Sequence, residues 1–141
     1  MSKTIHCDIV SAEGEIFSGT VAMVFANGEM GELGIAPRHT PLLTRLKPGL
    51  VRVKLEDDNE EDYYVSGGLI EIQPHVVTVL ADTAIRASHL DEAAALQAKE
   101  EAERTIADQH GEMDIAQAQA KLAMAIAEIS ALRQWKKRMK R

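Results

Sequence analysis

The sequence predicts an antiparallel β-sandwich followed by an antiparallel two-helix hairpin, and three observations carry that expectation. Up to about residue 85, short runs of alternating apolar and polar residues are separated by Gly, Pro and Asn turns, the pattern of many half-buried strands. From Leu90 onward there is no proline, one glycine and an abundance of Ala, Glu, Gln, Lys and Leu, the better helix formers. Within that second part Ile115, Ala118, Leu122, Ala125, Ile129 and Leu132 follow spacings of 3, 4, 3, 4 and 3, which make one apolar seam. The boundary is expected between residues 86 and 87, giving a sandwich over 1–86 and a hairpin over 87–141.

Taken in order, Thr4 to Val10 reads as a strand with Ile5, Cys7 and Ile9 on one face and His6 and Asp8 on the other. Ser11 to Ser18 reads as a turn at Gly14 into a short strand. Thr20 to Ala26 resumes the alternation through Val21, Met23 and Phe25, and Asn27-Gly28 stops it with a favoured turn pair. Gly28 to Gly49, with its four glycines, Pro37 and Pro41, is too punctuated for a plain strand or helix and is expected to be a shaped, exposed loop. Leu50 to Leu55 alternates again. The run Glu56 to Asp62, six acids around one Asn, reads as a solvated turn, since it lacks the glycine a calcium loop requires. Tyr63 to Val65, Leu69 to Gln73 and Val76 to Ala81 complete the strands, with Ser66-Gly67-Gly68 and Pro74-His75 as turns.

The first helix is expected to be capped by Ser88, with Asp91 and Glu92 at its positive end, and to run to about Gln109, where His110-Gly111 supplies a stop. The second is expected from near Asp114 to about Lys137. Ala95, Ala98 and Ala102 offer a small-residue face to the seam. Alanines bury little apolar surface, and at about 25 cal/mol per Å² such a contact is weak. The hairpin is therefore expected to be held only marginally on its own sandwich, where a partner could draw it away.

Composition narrows the function. At 141 residues the chain holds one ordinary domain and an appendage. With 4% aromatic residues, its core must be built from Val, Ile, Leu and Ala. A net charge of −6 argues against a general nucleic-acid binder. That average hides an asymmetry: the last nine residues, RQWKKRMKR, carry six Lys or Arg and no acid, leaving 10 basic against 22 acidic groups in the rest. Arg133, Lys136, Lys137, Arg138, Lys140 and Arg141 thus form a basic tip that could meet a negative protein surface, anionic lipid or nucleic acid. The single cysteine, Cys7, excludes an internal disulfide and reads as a small core residue. No stretch approaches the ~20 apolar residues of a membrane span, and the opening MSKTIHCDIV has no apolar signal region, so a cytoplasmic location is expected. No nucleophile stands near a base at a usable spacing, the five histidines form no i, i+4 ligand pair, and GxxGxxG at Gly28, Gly31 and Gly34 matches neither nucleotide fingerprint. No metal, cofactor or catalytic residue is expected.

Several separated blocks occur in one order: DIVSAEGEIFSG, GELGIAPRHTPLLT, KPG, SGG at Ser66 to Gly68, and VTVLADTAIR, followed by the helical end. Together they resemble the epsilon subunit of the bacterial F-type ATP synthase over nearly the whole chain. The resemblance implies a non-catalytic subunit of the rotating central stalk, helping to couple proton flow to ATP synthesis at the cytoplasmic face of the bacterial inner (plasma) membrane. It implies that the sandwich binds the gamma subunit and the ring of c subunits, with Glu32 and the His39 loop toward that ring. It also implies that the hairpin extends into the head of alpha and beta subunits, where the tip cations restrain ATP hydrolysis.

One departure stands out. Some members of the family bind ATP through a pattern of Ile or Leu, Asp, two variable residues, Arg and Ala, and here Leu90 and Asp91 are followed by Ala94 where the arginine would be. Without that cation a phosphate loses a charge-assisted partner, which weighs against direct ATP sensing. The rival reading is a free-standing β-sandwich adaptor whose basic helix binds anionic membrane or nucleic acid.

Overall fold

The structure, a computed structural model, describes residues 4–107 and 112–139, without the side chains of residues 112–114. Nine strands are followed by a short 3₁₀ turn and two α-helices, and the chain divides into two compact units at Ser88/His89.

In the first unit, β1 (Ile5–Ser11), β2 (Gly14–Gly28), β3 (Gly31–Ile35), β4 (Leu42–Leu46), β5 (Gly49–Leu55), β6 (Glu60–Val65), β7 (Gly68–Ile72), β8 (Val76–Ala81) and β9 (Ala84–Arg86) form a β-sandwich. The strand that makes this possible is β2, whose 15 residues exceed the usual 3–10. Its first half pairs with β1 from Gly14 to Val21. Its second half pairs with β5 from Val21 to Phe25 and with β3 from Val24 to Gly28. An irregularity between Val21 and Met23 marks the change, as a bulge that bends a strand from one sheet into another does. One layer is then β4-β7-β8-β1-β2 and the other β3-β2-β5-β6-β9. Among the described strands every pairing is antiparallel except that of β1 with β8, where His6 to Val10 run parallel to Val76 to Leu80.

The sequence expected a break near Ser18, and instead β2 runs through it. Gly19 leaves room there for the ring of Phe17, to which a Cβ would lie at 3.3 Å, so the glycine is a packing choice and not a turn. Two further departures concern the Gly28 to Gly49 stretch and the acidic run. The first contains β3 and β4, and its longest loop is residues 36–41. In the second, the turn ends at Asn59, whose amide is held by Asp57 Oδ1 at 3.1 Å. Glu60, Glu61 and Asp62 belong to β6, and Asp62 is buried. Pairing with β5, which brings Arg52 opposite Asp62 and Arg52 Nη1 to 3.8 Å from Glu60 Oε2, recruits these acids into the ladder. Strand β9 was not expected; three residues are too few to show a period.

The core is aliphatic, as the scarcity of aromatics requires. Ile5, Cys7, Ile9, Ile70, Ile72, Val77 and Val79 from the first layer meet Val24, Ile35, Val51, Val53 and Val65 from the second, and each such burial contributes about 1.5–3 kcal/mol. Tyr63 joins them, its ring 5.7 Å from that of Phe17, within the range of favourable aromatic pairs. Its hydroxyl donates to Glu61 Oε2 at 2.8 Å, and Arg86 Nη1 lies 3.5 Å from Glu61 Oε1, so β9 is tied to β6. Burial first, and then the Glu61 carboxylate, push the Tyr63 hydroxyl well above its usual value, which keeps it protonated as the donor.

In the second unit, α1 (Glu92–Ala107) and α2 (Glu112–Met139) pack on one another as a hairpin. Asp91, rather than Ser88, is the N-cap: its Oδ1 accepts the amide of Ala94 at 3.1 Å, and its carbonyl accepts Ala95 at 3.1 Å. Ser88 lies in the 3₁₀ turn Ala87–His89. The expected seam is present on α2, where Ala118, Ala125, Ile129 and Leu132 are buried and Ile115 and Leu122 half-buried. On α1, Ala95 and Ala102 are buried but Ala98 is exposed, lining a groove with Glu101, Thr105, Gln117 and Lys121. The expected stop at His110-Gly111 lies outside the described residues.

Candidate functional site

The groove at Arg45, Leu46, Gly67 and Gly68 and that between α1 and α2 are open to solvent; the candidate sites are surfaces, and each follows from how its element is held. The first is the end of the sandwich carrying Glu32. Strands β2 and β3 form a hairpin whose tip, Glu29 and Met30, is anchored by Glu29 N to Arg45 O at 2.8 Å and by Lys47 N to Asn27 O at 2.9 Å. Met30 at this tip is 94% exposed, and Glu32, opposite Asn27, is exposed beside it. An apolar side chain so fully in water, flanked by Glu29 and Glu32, suits a contact with another protein.

His39 lies elsewhere. The 36–41 loop is fixed by Arg38 N to Pro74 O at 2.9 Å and His39 N to Ala36 O at 3.2 Å, with Arg38 in the left-handed region at φ 66°. Within it His39 is half-buried, and its Nδ1 donates to Thr40 O at 2.6 Å. A carbonyl has no proton to give, so Nδ1 carries the hydrogen. The loop therefore sits where β4 begins, at Leu42 opposite Ile72, while the Glu32 hairpin sits where β4 ends, at Leu46 opposite Gly68 and Gly28. Four residue steps of strand, roughly 13 Å at 3.3 Å each, separate those ends. The structure does not bring Glu32 and His39 into one cluster.

The second surface is the basic end of α2. Arg133 and Lys136 are one helical turn apart and so share a face. Both meet Glu92, the first residue of α1: Lys136 Nζ donates to Oε2 at 3.0 Å, and Arg133 Nε is 3.9 Å from Oε1. Lys137 is exposed and Arg138 half-buried. Lys140 and Arg141 lie outside the described residues. Thus two of the tip cations face an internal carboxylate, which for Lys136 lies 44 positions away in the chain, a pairing that no local pattern could have disclosed.

At the start of α1, Leu90 is half-buried, Asp91 is occupied as the helix cap, and Ala94 presents only an exposed methyl. The cap pairs the amide of residue 94 with Oδ1 of Asp91.

A further constellation became visible only with the β1–β2 register, which sets Asp8 opposite Ser18. Ser18 Oγ donates to Asp8 Oδ1 at 2.6 Å, and His6 Nε2 lies 2.9 Å from that oxygen and 3.4 Å from Ser18 Oγ. The Ser18 hydroxyl, with His6 beside it, holds the Asp8 carboxyl below its ordinary range. In a nucleophilic relay the imidazole stands between hydroxyl and carboxylate and uses a different nitrogen for each. Here one nitrogen faces both, and the serine proton points to the acid. The cluster is a polar clasp between two strands.

Among the described residues, no three His, Cys, Asp or Glu side chains are grouped to hold a metal ion, and no helix is long and apolar enough to cross a membrane.

Comparison with known proteins gives the family. The ATP synthase, Delta/Epsilon chain, beta-sandwich domain matches residues 4–87, and the ATP synthase, Delta/Epsilon chain, long alpha-helix domain matches residues 88–133. The ATP synthase epsilon chain of Nitrosococcus oceani is 61% identical over 139 residues, covering 99% of each chain. That of Legionella pneumophila is 58% identical over 140 residues, covering 99% of this chain and all of the other. Among solved structures, a chain of the Euglena gracilis mitochondrial ATP synthase OSCP/F1/c-ring assembly superposes with a TM-score of 0.83 over 94% of this chain and 83% of that one, at 22% identity, which speaks for the fold. With both of its units matched in sequence from end to end, the chain belongs to the ATP synthase delta/epsilon chain family.

Proposed function

We propose that the chain is the epsilon subunit of the central stalk of a proton-driven F-type ATP synthase, a non-catalytic piece that couples rotation to ATP synthesis and restrains ATP hydrolysis through its helices. The observation that carries this is the identity of 61% to an epsilon chain with 99% of both chains covered, since a module borrowed into another setting would match over one unit only. In this reading the sandwich binds the gamma subunit and the c ring, with the Glu32 hairpin and the His39 loop as two separate contacts. The subunit is peripheral, at the cytoplasmic face of the bacterial inner membrane. The hairpin reaches the alpha and beta subunits when its helices extend, and Arg133, Lys136, Lys137, Arg138, Lys140 and Arg141 supply the cations for acidic residues there. Nucleotide binding at Leu90 and Asp91 is not part of the proposal, because Ala94 offers no cation and Asp91 is spent on the cap.

The experiment is ATP hydrolysis by a purified synthase head carrying either the full chain or a version ending at Ser88, where the first compact unit ends. Faster hydrolysis with the shorter chain is expected. Equal rates, with both forms bound to gamma, would defeat the inhibitory role of the helices. Failure of either form to bind gamma would defeat the assignment itself and favour the free-standing adaptor.

A further inference from the structure

The cations of α2 are not equivalent. Arg133 and Lys136 converge on the two oxygens of Glu92, a carboxylate that is itself one-third exposed, while the two cations remain 67% and 51% exposed. The pair is therefore accessible from solvent without being dismantled, and its contacts are of the kind that exchange readily. Glu92 also opens α1, where a negative charge is favoured by the unsatisfied amides of the helix start, so its position is held independently of the cations it meets. The geometry is that of an acidic surface offered to two basic residues one turn apart.

We propose that Glu92 is an internal counter-ion that occupies Arg133 and Lys136 when the hairpin is closed and competes for them with the acidic protein surface the tail binds. The internal pair and the partner contact then exclude one another at these two residues, and the strength of the internal pair sets how readily the two cations are released. In line with the function proposed above, the partner is an acidic polypeptide, whose carboxylates offer these two cations the same group that Glu92 does. The inference rests on the reading of the tail as a binding element, but its test does not need the synthase.

The full chain and its variants are titrated with poly-L-glutamate at low ionic strength, with helicity checked by circular dichroism. Each exposed pair is worth a factor of about 1.4 to 5, so Glu92→Gln, which removes two, should tighten binding roughly two- to 25-fold. Glu100→Gln makes the same change of net charge at an exposed position on the same helix and should alter binding less than twofold. Adding Lys136→Gln and Arg133→Gln to Glu92→Gln should abolish the gain. Equal effects of Glu92→Gln and Glu100→Gln would overturn the proposal in favour of net charge alone. A gain seen on phosphatidylglycerol vesicles but not on poly-L-glutamate would overturn the choice of partner. If truncation at Ser88 leaves hydrolysis unchanged while Glu92→Gln still tightens poly-L-glutamate binding, the inhibitory arm fails and the counter-ion stands.

Discussion

Replacing Gly68 by alanine puts a methyl where the backbone of the neighbouring strand already is. A Cβ at this position collides with the carbonyl oxygen of Leu80 and comes within 2.9 Å of Ala81 Cα and 3.0 Å of Leu80 C. Carbon atoms in contact prefer about 3.5–4.0 Å, so β7 and β8 must part by roughly 1 Å exactly where Gly68 pairs with Ala81 and with Leu46. The residue also sits at φ +139°, a conformation that costs a side chain on the order of 1–3 kcal/mol by itself. Overpacking adds about 1–3 kcal/mol, for a total of roughly 2–6 kcal/mol, against a domain stability of about 5–15 kcal/mol. Gly31 is the control: its φ is +133° but nothing lies within 4 Å of its Cβ position, so Gly31→Ala should show the conformational part alone. Gly67, at φ +123° with its nearest neighbours at 3.5 and 3.7 Å, should fall beside Gly31. Urea unfolding followed by near-ultraviolet circular dichroism reports on this unit, since both tyrosines, Tyr63 and Tyr64, are buried in it, while the single tryptophan, Trp135, lies in α2. Equal losses for Gly68→Ala and Gly31→Ala would refute the steric argument.

Two further outcomes concern the first strand. Asp8 has its carboxyl lowered by the Ser18 hydroxyl and by His6, so its contribution is present above the unfolded value of about 3.9 and is lost as pH falls through the lower folded value. Asp8→Asn should therefore remove part of the acid loss of stability below about pH 4; a denaturation midpoint with the same pH profile in both proteins would count against the clasp. Cys7 is fully buried between β2 and β8, and burial, with a smaller effect of Asp8, pushes its thiol up to about 12. Alkylation at pH 8 should thus require opening of the sandwich and accelerate in step with urea-induced unfolding, and rapid labelling in native conditions would contradict it.

What could be read from the chain depended on the range of the interactions involved. The alternations of β1, β5 and β8 and the seam of α2 are local periods, and they survive because each face is buried as the period demands. The Gly28 to Gly49 stretch misled for the opposite reason: its glycines at 31 and 34 and its prolines read as breaks, whereas Gly34 lies opposite Phe25 with ring and Met23 methyl atoms 3.7–3.8 Å from its Cβ position. Glycine serves there as room for neighbouring side chains within a ladder. The acids of β6 misled likewise, since a charge run looks solvated until the partner strand places Arg52 beside it. The Ser88 cap lost to Asp91, three residues on, because helix geometry starts where a side chain can actually reach the third amide.

The basic tip shows where sequence reading of a site stops and why the stop matters. Six cations in nine residues are legible as a patch, and a patch suggests that its charges act together. Glu92 breaks that equivalence. A surface cation that already has a carboxylate at 3.0 Å must give it up before it gains another, so its net contribution to a new contact is the difference between two similar pairs. Lys136 and, more weakly, Arg133 at 3.9 Å are in that position. In the proposed reading, the tip meets an acidic partner with part of its charge already committed to Glu92, and breaking that pair restores it. On that proposal the charge available to the partner depends on the hairpin's internal pairing as well as on its sequence, and Glu92, a residue of the first helix, becomes a determinant of how the end of the second one binds.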